Sequence, residues 1–174
     1  MERGSGRFDG ELLTEAIIGA AMEAHSVMGP GLLETAYQDA LCYELGKAAL
    51  PFERQPLIGY TYKAIRIDRV FRPDVIVKNE VILEPKSVER LLHIHDAQLQ
   101  TYLKITGLKT GLIFNFNTKC LKDGIRRIDV PWFSRPSSAV PPAVLPKLPF
   151  PLFSFPEVHS LVSPGTHRVP RATR

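Results

Sequence analysis

Residues 72–86 read RPDVIVKNEVILEPK, two short apolar runs on either side of a polar KNE turn. A hairpin with this turn places Asp74 directly opposite Glu84, with Cβ atoms about 5 Å apart on one face. Lys86 lies two residues beyond Glu84 and therefore points to the same side of its strand. The segment thus predicts an antiparallel hairpin on which two carboxylates and one ammonium meet.

Two carboxylates held this close need a positive charge between them. They repel by about 3 kcal/mol at an effective dielectric constant of about 20. Lys86 supplies one charge, and a divalent cation would supply the rest. Ligands that are all oxygen favour a hard ion such as Mg²⁺ or Mn²⁺. The alternative, which stays open, is a surface salt-bridge cluster of little energetic value.

Two helical segments carry further polar candidates. In GLLETAYQDAL, Glu34 shares a face with Tyr37 and Leu41, so we expect it within an otherwise apolar stripe. A buried carboxylate there needs a cation or a hydrogen bond, although charge compensation at an exposed helix N-terminus is the alternative. In the later helix, Gln98 and Tyr102 are spaced i and i+4 and share one face. They belong either to a functional site or to the border between the apolar and polar faces of an amphipathic helix.

Hydropathy patterning predicts an α/β fold with a mixed β-sheet flanked by α-helices. The segment 81–116 alternates strand, helix and strand, which favours a parallel pair joined by a right-handed crossover. We expect a flexible N-terminus over 1–10, one folded domain over 11–130, and a disordered extension over 131–174. The predicted helices are 11–27, about 31–47 and 91–106, and the predicted strands are 57–62, 65–77, 81–88, 110–116 and 124–130.

The charge and the prolines concentrate in the C-terminal segment. The net charge is +4, and residues 131–174 alone carry five bases against one acid, whereas residues 1–130 carry 17 of each. The basic balance therefore says little about what the folded part binds. The same segment holds 10 of the 15 prolines, which block regular helix and strand. A proline-rich ligand for a partner domain is the alternative to a disordered tail.

The remaining composition predicts a reduced, cytoplasmic protein. Cys42 and Cys120 lie far apart and match no zinc-binding spacing. The N-terminal MERGSGRFDG lacks the apolar core of a signal peptide, and no segment is long and apolar enough for a membrane span.

Together these residues resemble the PD-(D/E)XK nuclease superfamily. Within it, the chain is similar to the small bacterial proteins named for a GxxExxY motif, over about residues 10–130. QLQTY, residues 98–102, is similar to the QxxxY element of RecB-like nucleases. The matching residues are Gly31, Glu34 and Tyr37 for GxxExxY, Pro73 and Asp74 for PD, Glu84, Pro85 and Lys86 for (D/E)XK, and Gln98 with Tyr102 for QxxxY.

The resemblance implies a restriction-endonuclease-like sheet and Mg²⁺-dependent hydrolysis of phosphodiester bonds in a nucleic acid, with DNA as the expected partner. It implies that Asp74, Glu84 and the main-chain carbonyl of Pro85 ligate the metal, with Glu34 as a further carboxylate. Lys86 would hold or deprotonate the attacking water. Gln98, Tyr102 and Tyr37 would position the substrate.

One position departs from the family pattern. An apolar residue such as leucine usually stands between the glutamate and the lysine, where this chain has Pro85. Because proline removes a ladder donor, we expect a bulge or a sheet edge there and reduced activity. A catalytically impaired module that binds nucleic acid or protein is therefore the alternative function. Metal-assisted hydrolysis of another substrate is a third reading, and a homodimer stays open.

Overall fold

The computed structural model describes residues 5–131, and the side chains from Gly10 onward. The predictions for residues 1–4 and for 132–174 fall outside this part of the chain. The helices are α1 (Ser5–Met28), α2 (Glu34–Lys47) and α3 (His93–Thr106). The strands are β1 (Phe52–Arg54), β2 (Ile58–Tyr62), β3 (Ile65–Phe71), β4 (Val75–Val77), β5 (Val81–Lys86), β6 (Thr110–Asn115) and β7 (Ile125–Asp129).

Five strands form one mixed sheet in the order β1-β4-β5-β6-β7. The predicted hairpin register is confirmed, because Ile76 pairs with Ile82 and Val77 with Val81. The predicted parallel pair is also confirmed, since β5 and β6 run parallel and α3 connects them. The fold is thus α/β, with a mixed sheet flanked by three helices.

Each face of the sheet is covered by helices. On one face, α1 and α2 pack through residues such as Ile17 and Leu41 against Leu83 and Phe114. On the other face, α3 packs through Leu99 and Leu103 against residues that include Ile82. β5 and β6 are buried on both faces, which explains their nearly continuous apolar sequence. Within residues 5–131, no helix combines the length and apolar character needed to cross a membrane.

The single strand predicted over 65–77 is wrong. It divides into β3, which ends at Phe71, and β4, which begins at Val75. Pro73 lies in the interruption, where it has no N–H to donate to a ladder. β3 pairs only with β2 in a separate two-stranded sheet, whereas β4 joins the main sheet. The three-residue strand β1 is missed by the sequence analysis, since it is too short for an alternation signal.

Of the bulge or edge expected at Pro85, the bulge is absent, whereas the side of β5 that faces β4 is indeed unpaired at this residue. Pro85 lies in β5, the central strand, and pairing with β6 is continuous from Val81 to Lys86. Phe116 N donates to Lys86 O, so the N–H and C=O groups of Lys86 face β6. Successive residues of a strand direct these groups to opposite sides, so those of Pro85 face β4. β4 pairs only with residues 81–83, so the donor that proline lacks lies beyond this pairing.

Candidate active site

Carboxylates from three parts of the fold surround the ammonium group of Lys86. Its Nζ lies 3.1 Å from Glu84 Oε2, 3.5 Å from Asp74 Oδ2 and 3.6 Å from Glu34 Oε1. Glu84 and Lys86 belong to β5, Asp74 immediately precedes β4, and Glu34 is the first residue of α2. The structure thus brings together the four side chains Glu34, Asp74, Glu84 and Lys86, here called the acid cluster.

Burial and mutual charge shift the protonation of the acid cluster. Burial first, and then the charge of Asp74, raise the pKa of Glu84 to about 7, although Lys86 opposes this rise. Burial would lower the pKa of Lys86, but Glu84, Asp74 and Glu34 outweigh it and raise that pKa above its usual value. Lys86 is therefore an ammonium at neutral pH, and Glu84 is a carboxyl that titrates near neutrality.

Gln38, which the sequence analysis did not single out, holds Asp74 in place. Its Nε2 donates to Asp74 Oδ1 at 3.2 Å and to the Asp74 main-chain oxygen at 3.3 Å. Its Oε1 accepts from Arg54 Nη2 and from Gln55 Nε2, each at 3.2 Å. Because arginine only donates, this network fixes the orientation of the amide. The position of Gln38 four residues after Glu34 on α2 is the signal that could have identified it.

Asn115, at the end of β6, fixes the chain that follows Lys86. It is buried, its Oδ1 accepts from Val88 N at 3.1 Å, and its Nδ2 donates to Val88 O at 2.8 Å. The amide thus pairs with the backbone of Val88 much as a further strand residue would. Asn115 is a second residue that sequence reasoning missed, and it acts just beyond the end of β5.

Glu34 is more exposed than its place in an apolar stripe led us to expect. Its side chain is 43% exposed, whereas Tyr37 and Leu41 on the same helix face are fully buried. The expected burial is wrong because Glu34 is the first residue of α2 and stands at the end of that buried face. Both readings of this carboxylate hold in part, since it lies at a helix N-terminus and also pairs with Lys86.

Tyr37 fixes the loop that precedes Glu34. Its hydroxyl donates to Gly29 O at 2.6 Å and accepts from Leu32 N at 3.0 Å. Its ring stacks on Phe116 with a centroid separation of 4.6 Å. Full burial and these contacts favour a role in positioning the loop over direct contact with a substrate.

Gln98 and Tyr102 lie on α3, which covers the face of the sheet from which Glu84 and Lys86 project. Leu99 on α3 packs against Ile82, and Glu84, two residues after Ile82, projects from the same face of β5. Gln98 Nε2 donates to the Tyr102 hydroxyl at 2.6 Å. Among the hydrogen bonds of the described residues, none joins this pair to the acid cluster.

The donors of the acid cluster fit a hard divalent cation. The possible ligands are the carboxylates of Glu34, Asp74 and Glu84 and the main-chain carbonyl of Pro85, so every donor atom is an oxygen. The Pro85 carbonyl faces the β4 side of β5, toward the segment that carries Asp74. Among the side chains of residues 10–131, no three acidic, histidine or cysteine groups stand close enough to hold a metal ion as they are. The ammonium of Lys86 lies among these carboxylates, so the set would have to rearrange around an ion.

Comparison with known proteins bears on this geometry. A family model described as the PD-(D/E)XK nuclease superfamily matches residues 11–128. The match spans more than half of the chain and includes every residue of the acid cluster. No curated protein and no solved structure matches the chain.

Proposed function

Because the chain belongs to the PD-(D/E)XK nuclease superfamily, we propose that it is a metal-dependent nuclease that hydrolyses phosphodiester bonds in DNA. The convergence of three carboxylates on Lys86, at 3.1 to 3.6 Å, is the observation that carries this proposal. Superfamily membership supports a nuclease in general. The metal, the substrate and the role of each residue are the proposed part.

Asp74, Glu84 and the Pro85 carbonyl would hold the ion, which we propose to be Mg²⁺ or Mn²⁺, and Glu34 would add a further carboxylate. When bound, the ion supplies Lewis-acid polarisation of the phosphate and a water that ionises more readily. The oxygen-only donor set and the negative charge of the cluster support this assignment.

Lys86 acts in this proposal as a cation that faces the phosphate. In the metal-free protein its pKa is raised by Glu84, Asp74 and Glu34 despite its burial, so it carries a proton at neutral pH. An ammonium at this position offsets the negative charge that develops on the phosphate in the transition state. This role differs from the water-activating base that the family resemblance offers as an alternative.

Several neighbours would orient the reacting groups. Gln38 would keep the Asp74 carboxylate turned toward Lys86, and Tyr37 would hold the loop from which Glu34 projects. Gln98 and Tyr102 would position the phosphate from the α3 side of the sheet. The expected products carry 5′-phosphate and 3′-hydroxyl ends.

Within the superfamily, we propose that the chain belongs to the GxxExxY group of small bacterial proteins and that it acts in the cytoplasm. It is supported by Gly31, Glu34 and Tyr37 at the start of α2, where Gly31 has a φ of 98° in the left-handed region that favours glycine. Cys42 and Cys120 are both free thiols, which fits a reducing compartment.

The regular pairing of β5 through Pro85 favours the enzyme over a catalytically impaired relative. The missing N–H of Pro85 lies beyond the pairing with β4, so it removes no observed ladder bond from this central strand. The Pro85 carbonyl is retained. The departure from the family pattern therefore gives no structural reason for lost activity.

The test is cleavage of plasmid DNA and of short labelled duplexes and single strands, with Mg²⁺ or Mn²⁺, by the full chain and by Lys86→Ala. A matched control is Lys47→Ala, because Lys47 pairs with Glu44 on the exposed side of the far end of α2. We expect Lys86→Ala to lose cleavage and Lys47→Ala to keep it. Equal cleavage by all three proteins would show that the activity is not that of this site.

Calorimetric titration with Mn²⁺ separates the enzyme from an interaction module. We expect one site in the wild-type protein that Asp74→Asn abolishes. Absence of Mn²⁺ binding by the wild-type protein, together with absence of cleavage, would contradict the nuclease and favour the module.

A further inference from the structure

The hairpin formed by β2 and β3 presents an apolar face that the rest of the described chain leaves uncovered. Tyr60 pairs with Ile67 and Tyr62 with Ile65, so these four side chains lie on one face of the two-stranded sheet. Each is 40% to 58% exposed. A bulge between Ile58 and Tyr60 lies where the hairpin leaves the core.

The same hairpin carries a local excess of positive charge. Residues 57–72 contain four bases and one acid, whereas the charges of residues 1–130 as a whole cancel. Asp68 accepts from Arg66 Nε at 2.8 Å, so the single acid is already paired. Lys63 lies over the ring of Tyr62, with Nζ 5.4 Å from its centroid. The exposed aromatic face is thus bordered by cations.

Both ends of the hairpin lead to the acid cluster. Phe71 ends β3, stacks on Tyr102 of α3 at a centroid distance of 4.7 Å, and precedes Asp74 by three residues. At the other end, Gln55 N donates to the main-chain oxygen of Asp74 at 2.9 Å. The base of the hairpin therefore lies beside Asp74.

We propose that this face binds single-stranded nucleic acid, with successive bases stacked on Tyr60 and Tyr62. The two rings project from one strand at alternate positions, about 7 Å apart, and stacking requires base faces that a duplex does not expose. Lys63, Arg69 and Arg72 supply phosphate contacts beside them. The inference deepens the proposed nuclease, on which it rests, by assigning its substrate as single-stranded or locally unpaired.

Charge argues against a second copy of this chain as the occupant. Two identical hairpins facing each other would juxtapose the same surplus of cations, whereas a polyanion complements it. The four apolar side chains also form a face much smaller than the roughly 800 Å² per partner that a stable dimer buries. The hairpin face therefore fits a strand of nucleic acid better than it fits its own copy.

Binding is tested by fluorescence anisotropy of the full chain in EDTA at fixed salt. The probes are labelled oligo-dT and oligo-rU of about 16 nucleotides and a duplex of equal length. We expect a single strand to bind at least about tenfold more tightly than the duplex, and Tyr60→Ala and Tyr62→Ala each to weaken that binding about tenfold. The phenylalanine variants should bind like wild type, since stacking uses the ring, and Tyr43→Ala on α2 is the matched control.

The inference is overturned if the alanine variants bind the single strand as tightly as wild type, or if the duplex binds equally well. It is also overturned if sedimentation shows a wild-type dimer that Tyr60→Ala and Tyr62→Ala dissociate, since a second copy would then cover the face. Tighter binding of oligo-dT or of oligo-rU distinguishes DNA from RNA. Binding is measured in EDTA and is therefore independent of cleavage. If the chain binds single strands but shows no Mn²⁺-dependent cleavage in the separate assay, the proposed nuclease is contradicted and the proposed binding surface is not.

Discussion

Gln38 and Asp74 are joined by two hydrogen bonds from one amide group, 3.2 Å to the carboxylate and 3.3 Å to the main-chain oxygen. The amide is buried, and its oxygen accepts from Arg54 and Gln55 on the other side. One side chain on α2 therefore sets the direction of the carboxylate that enters β4. Gln38 is a positioning residue for the proposed metal site.

Replacement of Gln38 by alanine should weaken Mn²⁺ binding by about 10- to 100-fold, as loss of an outer-sphere partner typically does. The Asp74 carboxylate would lose the donor that orients it. The measurement is calorimetric titration with Mn²⁺, and cleavage should fall in parallel.

Gln100→Ala, an exposed glutamine on α3, is the matched control for the Gln38 variant and should bind Mn²⁺ like wild type. Gln38→Ala should also lower the free energy of unfolding by about 1–3 kcal/mol, since Arg54 and Gln55 lose a buried acceptor. Unchanged Mn²⁺ affinity despite that lower stability would make Gln38 purely structural.

Removal of the Lys86 charge should destabilise the protein, because three carboxylates would remain together without their ammonium. Lys86→Met should lower the free energy of unfolding by about 3–5 kcal/mol at pH 8 without divalent ions, as measured by urea denaturation. Lys47→Met, at a surface ion pair, should leave stability nearly unchanged.

A second change should rescue the Lys86 variant. Adding Glu84→Gln to Lys86→Met removes one of the facing carboxylates and should recover a large part of the lost stability. Equal stabilities of the single and the double variant would show that the destabilisation arises from lost packing and not from charge.

Glu84 should make the metal-free protein less stable as pH rises through the range from about 4.5 to about 7. Its pKa is raised to about 7 in the folded protein, from its ordinary value of 4.5, by burial and then by Asp74. Between these values the folded state binds more protons than the unfolded state, so the free energy of unfolding falls with increasing pH. The loss over this range is at most about 3.5 kcal/mol.

Urea denaturation between pH 4 and pH 8 in EDTA measures this dependence. In Glu84→Gln the decline should be largely absent, because the titrating carboxyl is gone. A wild-type stability that instead increases steadily across the same range would contradict the raised pKa of Glu84.

The hairpin and the parallel pair could be predicted because local signals determine them. The polar KNE turn and the period-two pattern fix which residue faces Asp74, and the observed pairing of Ile76 with Ile82 follows. The order strand, helix, strand restricts β5 and β6 to a parallel crossover. These features, and therefore the meeting of Asp74, Glu84 and Lys86, depend on neighbours close in sequence.

The remaining parts of the site depend on partners distant in sequence. Gln38 bonds to Arg54 and Asp74, 16 and 36 residues away. Its spacing from Glu34 places it on the same helix face, but the local sequence does not predict these two partners. The exposure of Glu34 depends on the residue at which α2 begins. The tolerance of Pro85 depends on where β4 stops pairing, which only the tertiary arrangement of the sheet determines.

Loss of the Tyr37 hydroxyl should destabilise the loop before α2. Tyr37→Phe removes the contacts to Gly29 and Leu32 and leaves their polar groups without this partner, at an expected cost of about 1–3 kcal/mol in the free energy of unfolding. If the loop orients Glu34, cleavage should fall as well, with KM for the substrate little changed. Tyr43→Phe on the same helix is the control. A raised KM with unchanged kcat would instead indicate that Tyr37 contacts substrate.

Replacing Pro85 by leucine, a residue usual at this position in the family, should increase neither stability nor cleavage. The N–H added by Pro85→Leu points toward β4 beyond its last pairing with β5, and the carbonyl is present in both proteins. Because Pro85 is buried and the added N–H has no ladder partner, we expect no gain and a cost of up to about 3 kcal/mol in the free energy of unfolding, with Mn²⁺-dependent cleavage similar to wild type. Pro85→Leu combined with Asp74→Asn controls for contaminating nucleases and should be inactive. A tenfold or larger gain in cleavage by Pro85→Leu would mean that the proline impairs the enzyme even though the strand remains regular.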